Sequence, residues 1–148
     1  MLQQDGWYLR NDIIWHKPNS MPESVKDRPY RSHEYLFLLT KCADYSFNNT
    51  KLRDSEDNLL RSVWTLNNAA SKSTIHSARF PQSLVEICLK SSTRKNSLVL
   101  DPFCGIGTVA IACVNFDRRF AGIDVNNDFI KEAKRNIKEA IKIKLASK

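Results

Sequence analysis

The chain has 148 residues, about one domain's length, which excludes a multidomain machine. Its composition, 42% hydrophobic and 26% charged, is that of a globular protein rather than a disordered one, and no apolar run approaches the ~18 residues of a membrane span. The formal net charge of +7 favours polyanionic partners, but seven basic against two acidic residues within 131–148 supply +5 of it, so a solvated terminal helix accounts for most of the excess.

In chain order, the residues before Trp7 lack the basic-then-apolar layout of a secretory signal, and a cytoplasmic setting is expected. Asp12–His16 and Glu34–Thr40 are rich in branched and aromatic residues and predict strands. Between them Pro18, Pro22 and Pro29 forbid a regular helix. Residues 41–58 and 65–79 are polar and predict surface loops, and Pro81 admits a helix from about Gln82 to Ser91.

The C-terminal part reads as a β-α-β-α unit. Ser97–Leu100 suits a buried parallel strand, Asp101–Gly107 a turn, Thr108–Val114 a tightly packed helix and Arg119–Asp124 a second strand. Asn126 or Asn127 can cap a last helix, whose Ile130, Ala133, Ile137, Ile141 and Leu145 form one apolar stripe. Cysteines at 42, 88, 104 and 113 and histidines at 16, 33 and 76 lack metal-ligand spacing; no metal site is expected, and Cys88, Cys104 and Cys113 predict buried, reduced thiols.

Three of the four glycines, Gly105, Gly107 and Gly122, fall within eighteen residues. A glycine turn between a parallel strand and a helix lies at the carboxyl edge of a sheet, where α/β proteins bind ligands. The helix N-terminus offers N–H groups to an anion, and Asp124, closing the next strand, can accept hydrogen bonds from both hydroxyls of a ribose. Turn and acid together imply a nucleoside-containing cofactor. On Gly105-x-Gly107-x-x-Ala110 alone, a nicotinamide dinucleotide is the competing ligand.

The longer stretch Asp101-Pro102-Phe103-Cys104-Gly105-Ile106-Gly107-Thr108 resembles the cofactor motif of S-adenosylmethionine-dependent DNA amino-methyltransferases, typically Asp-Pro-Phe-x-Gly-x-Gly-Thr. Three further stretches match in order. His76–Pro81 resembles the segment upstream of the cofactor strand, and Arg119–Asp124 the strand after it. Gly6–Asn19, with Pro22-Glu23-Ser24, Arg28 and His33-Glu34-Tyr35, resembles the stretch following the catalytic motif. This order, with the cofactor turn near the C-terminus, is that of the permuted β arrangement, and the resemblance covers roughly residues 6–137.

The resemblance implies an α/β fold: part of a Rossmann-like methyltransferase sheet, lacking the catalytic strand and its neighbour. It divides the chain into post-catalytic strands and a proline-containing loop at 6–47, a polar linker or short recognition loop at 48–75, and the cofactor unit at 76–148. It also implies that Asp101, Pro102, Phe103, Gly105, Gly107 and Thr108 hold the methionine end of S-adenosylmethionine, that Phe80 and Pro81 line the adjoining wall, and that Asp124 takes the ribose. Double-stranded DNA is the expected partner, with Lys17, Lys26, Arg28 and Arg31 as candidate contacts.

The family's catalytic motif, an acidic or polar residue followed by two prolines and an aromatic, has no counterpart here. The five prolines stand at 18, 22, 29, 81 and 102, none adjacent. Arg28-Pro29-Tyr30 begins with a cation that cannot accept amino hydrogens, so no catalytic residue is assigned. The expectation is the C-terminal half of such an enzyme, inactive alone, with a complementing chain that supplies the catalytic motif among its expected partners; the alternative is a non-catalytic cofactor- or DNA-binding module, or a decayed remnant. Missing neighbours would leave apolar strand edges exposed.

Overall fold

The structure is a computed structural model describing residues 2–53, 57–68 and 80–147. It divides into two compact units, Met1–Pro81 and Gln82–Lys148.

In the first unit, strands β1 (Tyr8–His16) and β2 (His33–Thr40) form an antiparallel pair with a bulge between Leu9 and Asn11. The prolines between them leave irregular backbone, as the fixed φ and missing N–H of that residue dictate. A third strand, β3 (Val63–Thr65), pairs parallel to β1 and completes a sheet in the order β2-β1-β3. This strand is not among those read from the sequence. Three residues are too short to show alternation, yet Trp64 is buried with Ile13, Trp15 and Leu52. The indoles stay satisfied: Trp15 Nε1–H donates to the Leu66 carbonyl and Trp64 Nε1–H to that of Arg61, both at 2.8 Å. Segment 48–75 therefore contributes two core residues and a strand, beyond any role as a polar linker.

The second unit follows the expected β-α-β-α order behind an additional helix, α1 (Gln82–Ser92). Strand β4 (Leu98–Asp101) leads into α2 (Thr108–Asn115), and β5 (Arg119–Gly122) returns parallel to β4 before α3 (Asn127–Ala146). Asn126 settles the capping alternative: its side chain accepts from the N–H groups of Asp128 and Phe129. Val85 and Leu89 of α1 and Ala112 and Cys113 of α2 form the core, with Val99 and Phe120 of the sheet packed against it. The small residues of α2 let it approach the sheet closely. The apolar stripe of α3 is buried only at its start: Ala133 is inside, whereas Ile141 and Leu145 are exposed.

Strand alternation puts Leu98 and Leu100 on the sheet face opposite Val99, and both are more than half exposed. Among the described residues the outer edges of β4 and β2 pair with nothing. These are the edges that the resemblance leaves without neighbours. Among the described residues no helix is long and apolar enough to cross a membrane.

A lysine ties the far end of this unit together. Lys144 Nζ of α3 donates to the carbonyls of Val114 and Asn115 at the end of α2, and to the Asp117 carboxylate at 2.6 Å. A cation there complements the negative helix terminus. Lys144→Met is expected to lower unfolding stability by about 1 kcal/mol, discounted for partial exposure, as read by urea denaturation.

The four cysteines are unpaired: Cys42 is exposed, Cys88 half-buried, and Cys104 and Cys113 buried. Burial pushes the Cys88 thiol from 9.0 to about 11, against a smaller opposing backbone hydrogen bond. The native state therefore holds this proton where the unfolded chain releases it, so stability falls as pH rises from about 9 toward 11 and is unaffected below. Near neutral pH, iodoacetamide should label Cys42 in the native protein and the other three only after unfolding, as mass spectrometry would count.

Candidate cofactor site

The carboxyl end of β4 gathers seven of the nine expected cofactor residues in the second unit: Asp101, Pro102, Phe103, Gly105, Gly107, Thr108 and Asp124. Parallel pairing of β4 with β5 continues past the strands: Ile123 N–H donates to Asp101 C=O at 3.0 Å and Cys104 N–H to Ile123 C=O at 2.8 Å. The chain then folds back on itself. Asp101 Oδ1 accepts from Phe103 N–H at 3.1 Å, and Gly107 N–H donates to Cys104 C=O at 2.8 Å.

Two glycines make this turn possible, for different reasons. Gly105 has φ +49°, and a Cβ built there would meet nothing within 4 Å. Gly107 has φ +90°, and its Cβ would lie 3.2 Å from the Cβ of Ala133 on α3. Gly107 is thus required by packing and backbone together, whereas Gly105 opens onto empty space. Gly107 also forms the N-cap of α2 without any side-chain cap. The first carbonyl bond of the helix runs from Ile111 N–H to Gly107, and the amides of Thr108, Val109 and Ala110 ahead of it have no partner within the helix.

Asp124, two residues beyond β5, locks this geometry. Its Oδ2 accepts from Gly105 N–H and its Oδ1 from Asn126 N–H, each at 2.8 Å. The carboxylate bridges the glycine turn to the start of α3, with lone pairs left for hydroxyl donors. Burial, then the nearby carboxylates of Asp101 and Asp124, raise the Cys104 thiol above its ordinary value, so it stays protonated. Phe103 projects outward, 87% exposed.

Sequence reasoning missed a supporting pair on α3. Asn136 Nδ2–H donates to Ile106 C=O at 3.0 Å, holding the middle of the turn, while Ala133 supplies the surface on which Gly107 rests. The available signal was a polar Asn136 inside the apolar stripe, three residues past Ala133; a half-buried amide there must find a partner.

The other expected residues lie in the first unit. Pro81 is buried directly before α1, and Phe80 is 41% exposed; His76–Arg79 of the same stretch lie outside the described residues. Among the expected DNA contacts, Lys17 is already committed: it pairs with Glu34 at 2.7 Å, lies over the Trp15 ring and is 15% exposed. Arg28 pairs loosely with Glu23 and Asp27 at 3.6 and 3.4 Å. Arg28 and Arg31 border one surface cavity with Tyr30 and His33, and Lys26 is exposed. Among the described residues no group of three or more His, Cys, Asp or Glu could hold a metal ion.

Known proteins match this arrangement. The family model for DNA methylase (N6_N4_Mtase) matches residues 1–135. The chain is 47% identical over 133 residues to Type II methyltransferase M.Cfr9I of Citrobacter freundii, covering 87% of this chain and 44% of that one. It is 42% identical over 142 residues to Type II methyltransferase M.SmaI of Serratia marcescens, covering 92% and 48%. The chain thus spans less than half the length of these curated relatives. The M1.HpyAVI–SAM complex superposes with a TM-score of 0.73 at 30% identity, covering 92% of this chain and 65% of that one. The cytosine-N4-specific PvuII DNA methyltransferase superposes at 0.80, covering 96% and 59%; at 18% identity that likeness concerns the fold. With the family model spanning residues 1–135, most of its length, the chain belongs to the N6/N4 DNA methylase family.

Proposed function

We propose that this chain is the cofactor-binding portion of a site-specific DNA amino-methyltransferase, which moves a methyl group from S-adenosylmethionine to adenine N6 or cytosine N4. The observation that carries this reading is the Asp101–Thr108 turn. Its open Gly105 and the free amides of α2 form a cradle for an anionic group, and Asp124 holds its carboxylate beside them. The cradle fits the donor: helix amides suit its carboxylate, and the lone pairs of Asp124 suit its ribose hydroxyls. The family resemblance assigns Phe80 and Pro81 to the adjoining wall. When bound, the donor supplies an electrophilic methyl on a sulfonium; the residues of this chain bind and orient it. Double-stranded DNA is the methyl acceptor, met by Lys26, Arg28 and Arg31, with Lys17 acting through its hold on Glu34.

These 148 residues perform no transfer by themselves. An amine attacks only when its lone pair is freed, which requires acceptors for the amino hydrogens and a ring to grip the extruded base. The sequence contains no polar-Pro-Pro-aromatic segment to provide them. Polypeptide outside these residues supplies that segment, and the unpaired edge of β4 with exposed Leu98 and Leu100 is where its strand and covering helices add.

Calorimetry tests the reading directly. S-adenosylhomocysteine should bind the chain and NADH should not; binding of NADH alone would assign the turn to a dinucleotide instead. Labelled S-adenosylmethionine and DNA should yield no methylated product until a fragment carrying the motif is added, and methylation by the chain alone would refute its dependence on that fragment.

A further inference from the structure

The first unit contains a second cavity that the cofactor reading does not use. It measures about 410 Å³, within the ~300–1,000 Å³ range of small-ligand pockets. Buried Leu52 and Trp64 form its floor, and Tyr45 and Phe47, 39% and 38% exposed, stand at its rim. Arg10 and the exposed Arg61 also line it, and no carboxylate does so among the described residues.

The rim is built in advance. The Arg10 guanidinium lies between the rings of Tyr8 and Tyr45, 5.0 and 4.9 Å from their centroids. It donates to Thr40 Oγ1 at 3.0 Å and to the carbonyls of Cys42 and Ala43 at 3.1 and 2.9 Å. Its Nε and Nη2 donors and its two ring contacts thus hold residues 40–45 against β1. Tyr45 is pinned before any ligand arrives, which lowers the ordering cost of binding. Arg10 contributes charge, and Arg61 remains as the accessible cation.

Half-exposed aromatic rings beside cations, over an apolar floor, are what a flat heteroaromatic with an attached phosphate demands. The ring stacks, the guanidinium meets the anion, and the missing carboxylate removes the repulsion. A polypeptide plug would need the apolar floor but not the cations.

We propose that this pocket receives one unstacked nucleobase of the bound DNA, stacked on Phe47 and Tyr45 with its phosphate on Arg61. The inference rests on the preceding reading only in taking DNA as the partner, and it places a base-gripping site on a unit separate from the glycine turn. It makes Tyr45, Phe47 and Arg61 a contact for distorted or opened DNA, with base stacking rather than edge readout as its source of affinity.

The test uses the 148-residue chain and two labelled duplexes of one sequence, one fully paired and one with a single bulged nucleotide, read by fluorescence anisotropy. The bulged duplex should bind about tenfold more tightly. Phe47→Ala should erase that preference and Phe47→Tyr should keep it, with melting curves showing both variants folded. Arg61→Gln should weaken binding to the bulged duplex and reduce the salt slope by about one. Equal wild-type affinity for the two duplexes, or a preference that survives Phe47→Ala, overturns the proposal. So does a Phe47→Ala chain that keeps the preference yet loses complementation by the motif-bearing fragment, because the pocket then receives polypeptide. S-adenosylhomocysteine titrated into the same variants should bind as to wild type. Its failure to bind wild type would remove the cofactor reading and leave the bulge preference standing.

Discussion

Gly105→Ala should leave the fold nearly intact yet lose S-adenosylhomocysteine binding by at least about tenfold, whereas Gly107→Ala should cost both fold and binding. Both residues have positive φ, but their surroundings differ. At Gly105 a methyl meets no protein atom within 4 Å and φ is +49°, close to the left-handed value, so the penalty is about 1 kcal/mol. The methyl would instead occupy space beside the free amides of α2, where the donor's carboxylate is proposed to sit. At Gly107, φ +90° with ψ +30° lies on the high-φ side of the left-handed region, strained for alanine, and the methyl would press on Ala133 at 3.2 Å. Strain and overpacking together should reach about 2–4 kcal/mol, enough to melt much of a small unit. Urea denaturation and calorimetry on the two variants separate the effects. A Gly105→Ala chain that binds S-adenosylhomocysteine as tightly as wild type would remove the anion from the turn.

Asp124→Ala should produce the second large loss. Its carboxylate accepts from Gly105 N–H and Asn126 N–H, so removal strands the half-buried Gly105 donor, leaves the exposed Asn126 donor to water and unties the glycine turn from α3. The expected stability loss is about 2 kcal/mol, because charge-assisted bonds to backbone amides are involved but water reaches the site. Affinity for S-adenosylhomocysteine should fall about a hundredfold, since the proposed ribose contacts and the turn geometry disappear together. Asp124→Asn presents an amino group to one of the two donors and keeps an oxygen for the other. It should retain roughly half the stability loss and a measurable affinity. Equal behaviour of the Asn and Ala variants would mean that the turn does not depend on the accepting oxygens.

Asp124 shows why a residue's assignment and its work in the fold can differ. Its place at the end of a predicted strand suggested a ribose ligand; only the fold reveals that the same carboxylate first holds Gly105. Lys17 makes the opposite case. In the sequence it is one of several cations in a proline-containing loop. In the structure Glu34, on the neighbouring strand, engages it at 2.7 Å.

Local patterning was sufficient wherever neighbours in sequence are also neighbours in space. The β-α-β-α order, a cap at Asn126 or Asn127, the irregular backbone around three prolines and the glycine turn of Asp101–Thr108 follow from side-chain period, missing amides and the freedom of glycine. Contacts between distant segments decided the rest. Asn136 reaches Ile106 across thirty residues, Arg10 reaches residues 40–45, and Trp64 pairs with Trp15 through a strand too short to announce itself. No local period encodes these partners, because hydrogen bonds and burial are satisfied by whatever the folded chain brings near.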